Sequence, residues 1–192
     1  MNRLENKVAI ITGASRGMGE AHAREFVNQG AKVILADIKV DLGQALADEL
    51  GDNALFIKLD ITKPEDWKNA VEIGEKTFGN INVLVNNAGI LGPVAGVMDL
   101  KYEDYLKVIE INQHSILLGM QAVIPSMLKA GVGSIINVSS IAGIVACFGF
   151  PNVAYMASKF AIRGMTKGAA FEYGPKNIRV NSMHPGFVLT PM

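Results

Sequence analysis

Tyr155 and Lys159 are the pair of residues in this sequence best suited to proton transfer. They are four positions apart inside a helical pattern, so both side chains lie on one face about one turn apart. A phenol ionises with a pKa of about 10, and bringing that value to about 7 requires roughly 4 kcal/mol of preference for the phenolate. A neighbouring ammonium in a partly desolvated cleft contributes to that preference. An exposed surface pair is the alternative interpretation of the same spacing.

A hydroxyl group that can hold a substrate oxygen follows the fifth short apolar run of the chain. This run ends with Ser139, and Ser140 comes directly after it. Ligands of parallel sheets bind at the carboxyl ends of the strands, so the Ser140 hydroxyl is placed to bind a carbonyl or alcohol oxygen. Because Ser140 and a glycine-rich loop occur in the same chain, we favour proton transfer over an exposed pair for Tyr155 and Lys159.

The glycine-rich loop lies between the first apolar run and the helical pattern that follows it. Its glycines allow the backbone to turn tightly and to approach a pyrophosphate, toward which the helix N-terminus directs its free N–H groups. A tight turn without a ligand is the alternative. Since a strand precedes the loop and a helix follows it, we expect the loop to bind a dinucleotide. The residues assigned to this contact are Gly13, Ser15, Arg16, Gly17, Met18 and Gly19.

The adenosine side of the dinucleotide is assigned to the end of the second run, at Asp37 and Ile38. A carboxylate there accepts hydrogen bonds from the ribose hydroxyls and repels a 2′-phosphate. A hydrogen bond to a charged acceptor contributes about 1.5–3 kcal/mol, which is enough to select NAD over NADP. Arg16 and Lys39 favour a phosphate instead, but neither removes the carboxylate. We therefore predict NAD as the cofactor.

Six short β-branched runs recur along the chain and are apolar almost throughout, which is typical of strands covered on both faces. They comprise residues 7–12, 32–37, 54–59, 82–86, 134–139 and 178–182. Helical patterns cover 17–28, 102–129 (bent or ended near Pro125) and 153–173, and a capping box at Thr62 opens a further helix. This alternation predicts an α/β fold, a doubly wound (Rossmann-type) parallel sheet with helices on both faces.

Composition argues against several classes of function. The chain has 192 residues, with 18 Lys plus Arg and 18 Asp plus Glu, so its zero net charge argues against a nucleic-acid binder. The lone Cys147 excludes a disulfide framework and suits a reducing compartment. His22, His114 and His184 show no metal-ligand spacing. We expect a single cytoplasmic domain over residues 1–192, without a metal, a targeting segment or a membrane span.

Several motifs in a fixed order resemble those of the short-chain dehydrogenase/reductase family, in its non-extended form, over essentially the whole chain. One of them, Asn86-Asn87-Ala88-Gly89, would by itself be read as an ordinary turn. Besides this segment, the motifs are the glycine-rich loop, Asp60, Asn112, Ser139-Ser140, Tyr155-x-x-x-Lys159 and Pro185-Gly186. The resemblance implies an oxidoreductase that uses a nicotinamide cofactor.

The resemblance also implies the role of each motif. Tyr155 would be the general acid/base, and Lys159 would lower its pKa and bind the nicotinamide ribose. Ser140 would position the substrate oxygen, and Asn112 would anchor a water molecule of a proton relay. The remaining cofactor contacts implied are Asp60 and Ile61 at the adenine, Asn87, Ala88 and Gly89 after the fourth strand, and Pro185, Gly186, Val188 and Thr190 at the nicotinamide.

The walls predicted for the substrate site are apolar. Residues 90–98 and 141–154 contain no charged side chain, and the second segment includes Ile144, Val145, Cys147, Phe148 and Phe150. Such walls offer nothing to pair with a phosphate or a carboxylate, so an apolar ketone or secondary alcohol fits best. Buried core is the alternative, and Cys147 is interpreted as a small apolar filler rather than a nucleophile. The overall pattern is similar to hydroxysteroid dehydrogenases, 3-oxoacyl-carrier-protein reductases and cyclic-alcohol dehydrogenases.

A stripe of small residues, Ala157, Ala161, Gly164 and Gly168, follows one face of the last helical segment. In the family this helix and the long one before it build a dimer or tetramer, so we expect a homodimer or homotetramer. Packing onto the chain's own sheet is the alternative. Family members continue past residue 192 with a substrate lid, a helix and a seventh strand. We expect these to be missing here, which would leave the edge of the sixth strand unpaired.

Three other functions are alternatives to an NAD(H)-dependent dehydrogenase of apolar secondary alcohols. An NADPH-dependent 3-oxoacyl-carrier-protein reductase would favour a basic patch for its acidic partner, and no basic run is evident. A cofactor-binding protein without turnover is favoured by the missing segment, whereas the complete set Asn112, Ser140, Tyr155 and Lys159 favours the enzyme. A Rossmann-like methyltransferase would give Tyr155 and Lys159 no role.

Overall fold

A computed structural model describes residues 2–146 and 149–190. Its parallel sheet has the strand order β3-β2-β1-β4-β5-β6, which confirms the doubly wound α/β fold. The strands are β1 (Val8–Thr12), β2 (Lys32–Asp37), β3 (Ala54–Lys58), β4 (Val83–Asn86), β5 (Gly133–Val138) and β6 (Ile178–Met183). The helices are α1 (Gly17–Asn28), α2 (Val40–Leu50), α3 (Pro64–Phe78), α4 (Tyr102–Ile109), α5 (Ser115–Ala130) and α6 (Val153–Tyr173).

Alternate residues of the strands enter two separate cores, one on each face of the sheet. On one face, Ile10 and Ile34 pack with residues of α3, α5 and α6, including Trp67. On the other face, Ile11 and Leu35 pack with residues of α1 and α2. Because a strand side chain is covered whichever way it points, these strands are apolar throughout instead of alternating.

The strand order reverses at β1, which pairs with β2 on one side and with β4 on the other. The connections that leave these strands therefore diverge and open a crevice at the carboxyl edge of the sheet. All six predicted strands are present, each within one residue of its predicted ends. By contrast, α2 has no counterpart among the predicted helical segments. No helix in the described ranges combines the length and apolarity needed to cross a membrane.

The predicted capping box at the start of the third helix is wrong. α3 begins at Pro64, with Lys63 in the N-cap position. The Thr62 hydroxyl donates instead to Asp60 Oδ1 at 2.8 Å, and the Thr62 main-chain N–H donates to the same atom at 3.0 Å. Short polar side chains can close a local turn as readily as they cap a helix. Here the Thr62 hydroxyl closes the turn that follows β3.

The long helical segment is interrupted, but not at the predicted place. α4 passes into a π-helical turn at Glu110–His114, and this turn passes into α5. Pro125 lies inside α5, which continues to Ala130, so the helix does not end near the proline. π-Helical turns widen a helix locally and occur frequently at functional sites. The turn contains Asn112, one of the predicted catalytic residues.

Candidate active site

A cleft of about 560 Å³ opens at the carboxyl edge of the sheet. It gathers predicted cofactor residues from the ends of β1, β2, β3 and β4 and the connections that follow them, together with Thr190 from the segment after β6. These residues are Gly13, Arg16, Gly17, Met18, Asp37, Ile38, Asp60, Ile61, Asn87, Ala88, Gly89 and Thr190. Residues widely separated in sequence therefore form one continuous surface, long enough to extend from the adenosine site to the neighbourhood of Lys159.

The glycine-rich loop approaches β4 so closely that side chains are excluded. Gly13 has a φ of +65°, and a Cβ added there would lie 3.0 Å from the Cα of Ala88. A Cβ added at Gly19 would overlap the carbonyl oxygen of Gly13. The first turn of α1 therefore rests directly on the loop, and its residues Gly17 and Met18 line the cleft. This arrangement fits a pyrophosphate held by backbone groups.

Asp37 is held rigidly where the adenosine ribose is expected. Its Oδ2 accepts a hydrogen bond from the main-chain N–H of Ser15 at 3.1 Å, and its Oδ1 accepts one from that of Lys39 at 3.0 Å. Ser15 therefore supports Asp37 from behind and does not itself line the cleft. Two main-chain donors leave lone pairs of the carboxylate free to accept from ribose hydroxyls.

The side chain of Asn87 presents an unpaired buried acceptor in the cleft. Its Nδ2 donates to the carbonyl oxygen of Thr12 at 2.9 Å, which ties β4 to β1. Its Oδ1 is buried and has no hydrogen-bond partner among the described residues. A buried polar atom without a partner is costly, so a ligand that donates to Oδ1 fits this position. The cleft thus contains a hydrogen-bond acceptor, Asn87 Oδ1, that is available to a donor group of a ligand beside the glycine-rich loop.

Lys159 does not line the cleft but is buried beside Gly89, which does, and its relative exposure is only 4%. It lies on α6, and its Nζ donates to the carbonyl oxygen of Val138 at 2.9 Å. The same Nζ is 5.5 Å from the centre of the Tyr155 ring. Burial lowers the pKa of Lys159 to about 8, because the ammonium loses hydration. Lys159 therefore places its ammonium group in a poorly solvated environment.

The side chains of Tyr155 and Ser140 interact with each other outside the lining of the cleft. Burial raises the pKa of the Tyr155 phenol, and a hydrogen bond from the Ser140 side chain acts in the opposite direction. In this structure the burial of the phenol is the larger of these two effects. The Ser140 oxygen also accepts a hydrogen bond from the main-chain N–H of Ala142 at 3.1 Å. A substrate oxygen between the two hydroxyl groups would contact both.

The neighbouring serine has a different environment. Ser139 is buried, and its hydroxyl donates to the carbonyl oxygen of Lys159 at 2.8 Å. A Cβ added at Gly143 would lie 2.6 Å from both the Ser139 hydroxyl and that carbonyl oxygen. Ser139 therefore fastens α6 to the end of β5. Ser140 is the serine that lies beside the phenol.

Asn112 connects the π-helical turn to the loop after β4. Its Oδ1 accepts from the main-chain N–H of Ile90 at 2.8 Å, and its Nδ2 donates to the carbonyl oxygen of Ile90 at 2.8 Å. The same Nδ2 lies 3.2 Å from the hydroxyl of Ser158. A Cβ on Gly89 would be 3.1 Å from Asn112 Oδ1 and 3.7 Å from Lys159 Nζ. The cofactor loop thus ends against the catalytic side chains.

The comparison that decides the family spans almost the whole chain. A family model described as short chain dehydrogenase matches residues 7–192. The chain belongs to the short-chain dehydrogenase family. As a short-chain dehydrogenase it is an oxidoreductase that acts on CH–OH groups, and its cofactor is a nicotinamide dinucleotide.

Relatives of this short-chain dehydrogenase include enzymes of hydroxysteroids and of cyclic alcohols. The chain is 48% identical over 193 residues to the 3-alpha-(or 20-beta)-hydroxysteroid dehydrogenase of Mycobacterium tuberculosis, covering 99% of this chain and 72% of that enzyme. It is 47% identical over 201 residues to the trans-4-hydroxycyclohexanecarboxylate dehydrogenase of Sinomonas cyclohexanicum, covering 100% and 76%. It is 42% identical over 195 residues to the cyclohexanol dehydrogenase of an Acinetobacter species, covering 100% and 76%.

Some predicted cofactor residues of the dehydrogenase do not line the cleft. The predicted cofactor residues outside its lining are Ser15, Gly19, Lys159, Pro185, Gly186 and Val188. The catalytic candidates Asn112, Ser140 and Tyr155 are outside it as well. The carbonyl oxygen of Pro185 accepts a hydrogen bond from the N–H of Ile141 at 2.9 Å. Other lining residues were missed by the sequence analysis: Ala36, Leu59, Thr62, Ile90, Lys107, Glu110 and Ile111. Those next to a recognised motif, such as Ile90 after Gly89, could have been found from the motif. Lys107 belongs to the end of α4, and Glu110 and Ile111 belong to the π-helical turn, which no sequence signal predicted.

The apolar segments predicted as substrate walls are exposed. The exposed fractions of Val97 and Met98 are 78% and 98%, and those of Ile144 and Val145 are 46% and 48%. The alternative of buried core is therefore excluded for these residues. Cys147 and Phe148 lie outside the described residues. In the described ranges, no group of three or more His, Cys, Asp or Glu side chains is arranged to hold a metal ion.

Proposed function

We propose that this short-chain dehydrogenase interconverts a neutral, apolar secondary alcohol and its ketone, with NAD(H) as the cofactor. The observation that carries the proposal is the cluster of Ser140, Tyr155 and Lys159 beside Gly89 of the cleft, and the predicted wall segments 90–98 and 141–154 carry exposed apolar side chains. Such a cluster can move a proton at a substrate oxygen, and such walls can hold a hydrocarbon ring.

The residues of this chain handle the substrate oxygen and its proton. In alcohol oxidation, the Ser140 hydroxyl holds the substrate oxygen, and the Tyr155 phenolate takes the proton from the substrate hydroxyl. Lys159 supplies positive charge behind the phenolate, and Asn112 fixes the loop that borders Lys159. When bound, the nicotinamide dinucleotide accepts the carbon-bound hydrogen of the alcohol as a hydride, or returns it to the ketone. Ketone reduction reverses the path of the proton.

The preference for NAD rests on Asp37. Its carboxylate is fixed by the N–H groups of Ser15 and Lys39, so it cannot swing away from a 2′-phosphate. We expect NADH to bind more tightly than NADPH. The Asp37→Ala substitution should weaken NADH binding by about tenfold to a hundredfold, since a hydrogen bond to a charged acceptor contributes about 1.5–3 kcal/mol.

The test measures NADH binding by fluorescence, with NADPH as the competitor. Asp41→Ala is the matched control, because Asp41 is an exposed carboxylate in the first turn of α2 and does not line the cleft. Asp41→Ala should bind NADH like the wild type. Tighter binding of NADPH than of NADH by the wild type would refute the preference for NAD.

The apolar walls favour uncharged substrates. The relatives named above act, by their names, on hydroxysteroids, on cyclohexanol and on a hydroxycyclohexanecarboxylate. The wall residues Val97, Met98, Ile144 and Val145 offer no partner to a carboxylate. We expect kcat/KM with NAD to be roughly tenfold or more higher for cyclohexanol or a neutral hydroxysteroid than for trans-4-hydroxycyclohexanecarboxylate, because burying an unpaired charge is costly. The reverse order would contradict the neutral substrate.

Self-association through α4, α5 and α6 is the assembly that the surface supports. Gly164 and Gly168 are exposed, and a Cβ added at either would meet no atom within 4 Å among the described residues. These two glycines therefore face away from the sheet, and Leu106 of α4, Leu117 of α5 and Phe160 of α6 are half-exposed. We expect a homodimer or homotetramer in sedimentation experiments and a monomer for Gly164→Glu. A monomeric wild type would refute this assembly.

A cytoplasmic location, suited to a lone cysteine, is part of the same proposal.

A further inference from the structure

The imidazole of His184 bridges the end of β6 and the main chain of Ser140. Its Nε2 lies 2.9 Å from the hydroxyl of Ser182, and its Nδ1 lies 3.1 Å from the carbonyl oxygen of Ser140. The ring is half-buried. None of the roles assigned above to Ser140, Tyr155 or Lys159 uses this histidine.

The two contacts determine which ring nitrogen carries the hydrogen. A carbonyl oxygen can only accept, so the Nδ1 of His184 must donate to Ser140. In the neutral ring Nε2 is then the acceptor, and it takes its hydrogen bond from the Ser182 hydroxyl. Each nitrogen of the imidazole therefore has one partner, and the ring cannot rotate without losing both.

The bridge continues a row of contacts between the two strand ends. The N–H of Ser139 donates to the carbonyl oxygen of Met183 at 2.8 Å, and that of Ile141 donates to the carbonyl oxygen of Pro185 at 2.9 Å. Between these two main-chain hydrogen bonds, His184 makes the third contact, and it alone uses a side chain. The peptide group that follows Ser140 is thus held at both ends. Its N–H donates to Pro185, and its carbonyl oxygen accepts from the Gly143 N–H at 2.9 Å as well as from the imidazole, which is the side-chain contact among these three.

This peptide group controls the direction of the Ser140 hydroxyl. Ser140 has an extended backbone, with φ −166° and ψ 162°, and it begins the short helical turn Ile141–Gly143. Within that turn, the N–H of Ala142 donates to the Ser140 Oγ. A rotation of the peptide after Ser140 would move Ala142 and the hydroxyl that it holds. The direction of that hydroxyl toward Tyr155 therefore depends on the peptide that His184 holds.

We propose that His184 is a positioning residue for the reaction, which sets the orientation of the Ser140 hydroxyl at the substrate oxygen and keeps the Pro185–Gly186 turn at a fixed distance from it. The proposal rests on the proposed dehydrogenase activity. Binding of the adenosine part of the cofactor, which takes place at the other end of the cleft, does not depend on the imidazole.

The test compares His184→Ala with His184→Asn, whose Nδ2 can donate to the Ser140 carbonyl in place of the imidazole Nδ1. With cyclohexanol and NAD, we expect His184→Ala to lower kcat by about tenfold to a hundredfold, the effect of a small misplacement of a reacting group. His184→Asn should recover most of the rate. Ser182→Ala should have a smaller effect, because the Nδ1 contact remains. His114→Ala, at an exposed histidine, is the control and should behave like the wild type.

A second measurement does not require turnover. The hydrogen bond with Ser140 lowers the pKa of Tyr155, so a misdirected hydroxyl should raise the pH at which this phenol ionises. Ultraviolet difference titration of each variant against the same variant with Tyr155→Phe isolates that ionisation. We expect an upward shift in His184→Ala and a return toward the wild-type value in His184→Asn, with NADH affinity within about twofold of the wild type in both.

The outcomes separate the two proposals. If no alcohol is oxidised by the wild type but the phenol titration shifts as expected, the dehydrogenase function fails while the positioning of Ser140 by His184 stands. If His184→Ala keeps both the wild-type kcat and the wild-type titration, the positioning role is overturned. It is also overturned if His184→Asn is as impaired as His184→Ala while both melt at the wild-type temperature.

Discussion

The cofactor half of the cleft and its catalytic half are built from different kinds of contact. The cofactor half comprises residues 12–19, 37–39 and 87–89 and depends on contacts of the main chain. The backbone of Gly13 lies close to Ala88, and two main-chain N–H groups donate hydrogen bonds to the Asp37 carboxylate. The catalytic half (Asn112, Ser139, Ser140, Tyr155, Ser158 and Lys159) depends on side chains that are wholly or largely buried and bonded to one another or to carbonyl groups.

This difference determines how each half is damaged. A surface shaped by bare backbone loses function when an atom is added, because neither segment can move aside. A cluster of buried, hydrogen-bonded side chains loses function when an atom is removed, because a partner is left without its hydrogen bond. Substitutions that add or remove a single group therefore test whether the two halves differ as described.

The largest effect is expected from the removal of one oxygen in the catalytic half. Tyr155→Phe should lower kcat by about a thousandfold, because the general acid/base is lost. NADH binding should be unchanged, since the phenol lies at the far end of the cleft. Steady-state kinetics and fluorescence titration measure the two quantities. Tyr102→Phe, at an exposed tyrosine, is the control. A Tyr155→Phe enzyme that keeps a large part of its activity would remove the phenol from the proton path.

The burial of Lys159 should make the stability of the protein depend on pH. The pKa of Lys159 is lowered from 10.5 to about 8 in the folded state, so below pH 8 the fold carries the cost of a buried ammonium. Between about pH 8 and 10.5 the unfolded chain binds more protons than the folded one, and the free energy of unfolding rises with pH, by roughly 3 kcal/mol in total from this group.

Lys159→Met removes this contribution and keeps the length of the side chain. Chemical denaturation of both proteins across this pH range should show a rise in the wild type relative to the variant. The difference between the two curves cancels the titration of groups common to both. Parallel curves would mean that the Lys159 ammonium is as well solvated in the folded state as in the unfolded chain.

The addition of one methyl group should damage the cofactor half. In Gly19→Ala the new Cβ overlaps the Gly13 carbonyl oxygen and lies 2.8 Å from Asn87 Nδ2, so α1 must move away from the loop. We expect a loss of about 1–3 kcal/mol in stability, together with weaker NADH binding.

Gly43→Ala is the matched control for this substitution. Its Cβ overlaps the ring of Phe56, away from the cleft. This variant should lose stability but bind NADH normally once folded. Equal NADH affinities for Gly19→Ala and Gly43→Ala would mean that the contact between α1 and the loop is not part of the cofactor site.

Most of the architecture could be predicted from the sequence because buried parallel strands are apolar on both faces. Runs such as 32–37 need no tertiary information to be recognised, and β2 has the predicted bounds. Two local features depended on contacts that a sequence pattern does not contain. The Thr62 hydroxyl could cap a helix or close a turn, and it closes the turn because it donates its hydrogen bond to the Asp60 carboxylate. The π-helical turn is accompanied by two hydrogen bonds between the Asn112 side chain and the main chain of Ile90, a residue distant in sequence.

The candidate site was predictable where a motif carries its residues. Gly13, Arg16, Gly17 and Met18 of the glycine-rich loop, Asp37 and the Asn87–Gly89 segment line the cleft, whereas the motif residues Ser140, Tyr155 and Lys159 do not. What the motifs do not reveal is which neighbours hold these residues. Ser15 supports Asp37 from behind, and the ring of His184 reaches the main chain of Ser140. Such supports come from distant segments and have no spacing of their own.

The smallest expected effect comes from Ser139, which is adjacent to Ser140 but belongs to the support of α6. Ser139→Ala removes the hydrogen bond to the Lys159 carbonyl oxygen, which is also placed to accept the ordinary hydrogen bond of its helix. We expect a loss of about 1 kcal/mol in stability, measured by denaturation, and a kcat within about fivefold of the wild type, since Lys159 keeps its contact with Val138. Ser140→Ala should do the opposite, with a larger loss of kcat and little change in stability. The opposite result, with activity lost in Ser139→Ala and stability lost in Ser140→Ala, would contradict these roles. Ser139 would then be the serine that positions the substrate oxygen, and Ser140 would be the one that supports the fold.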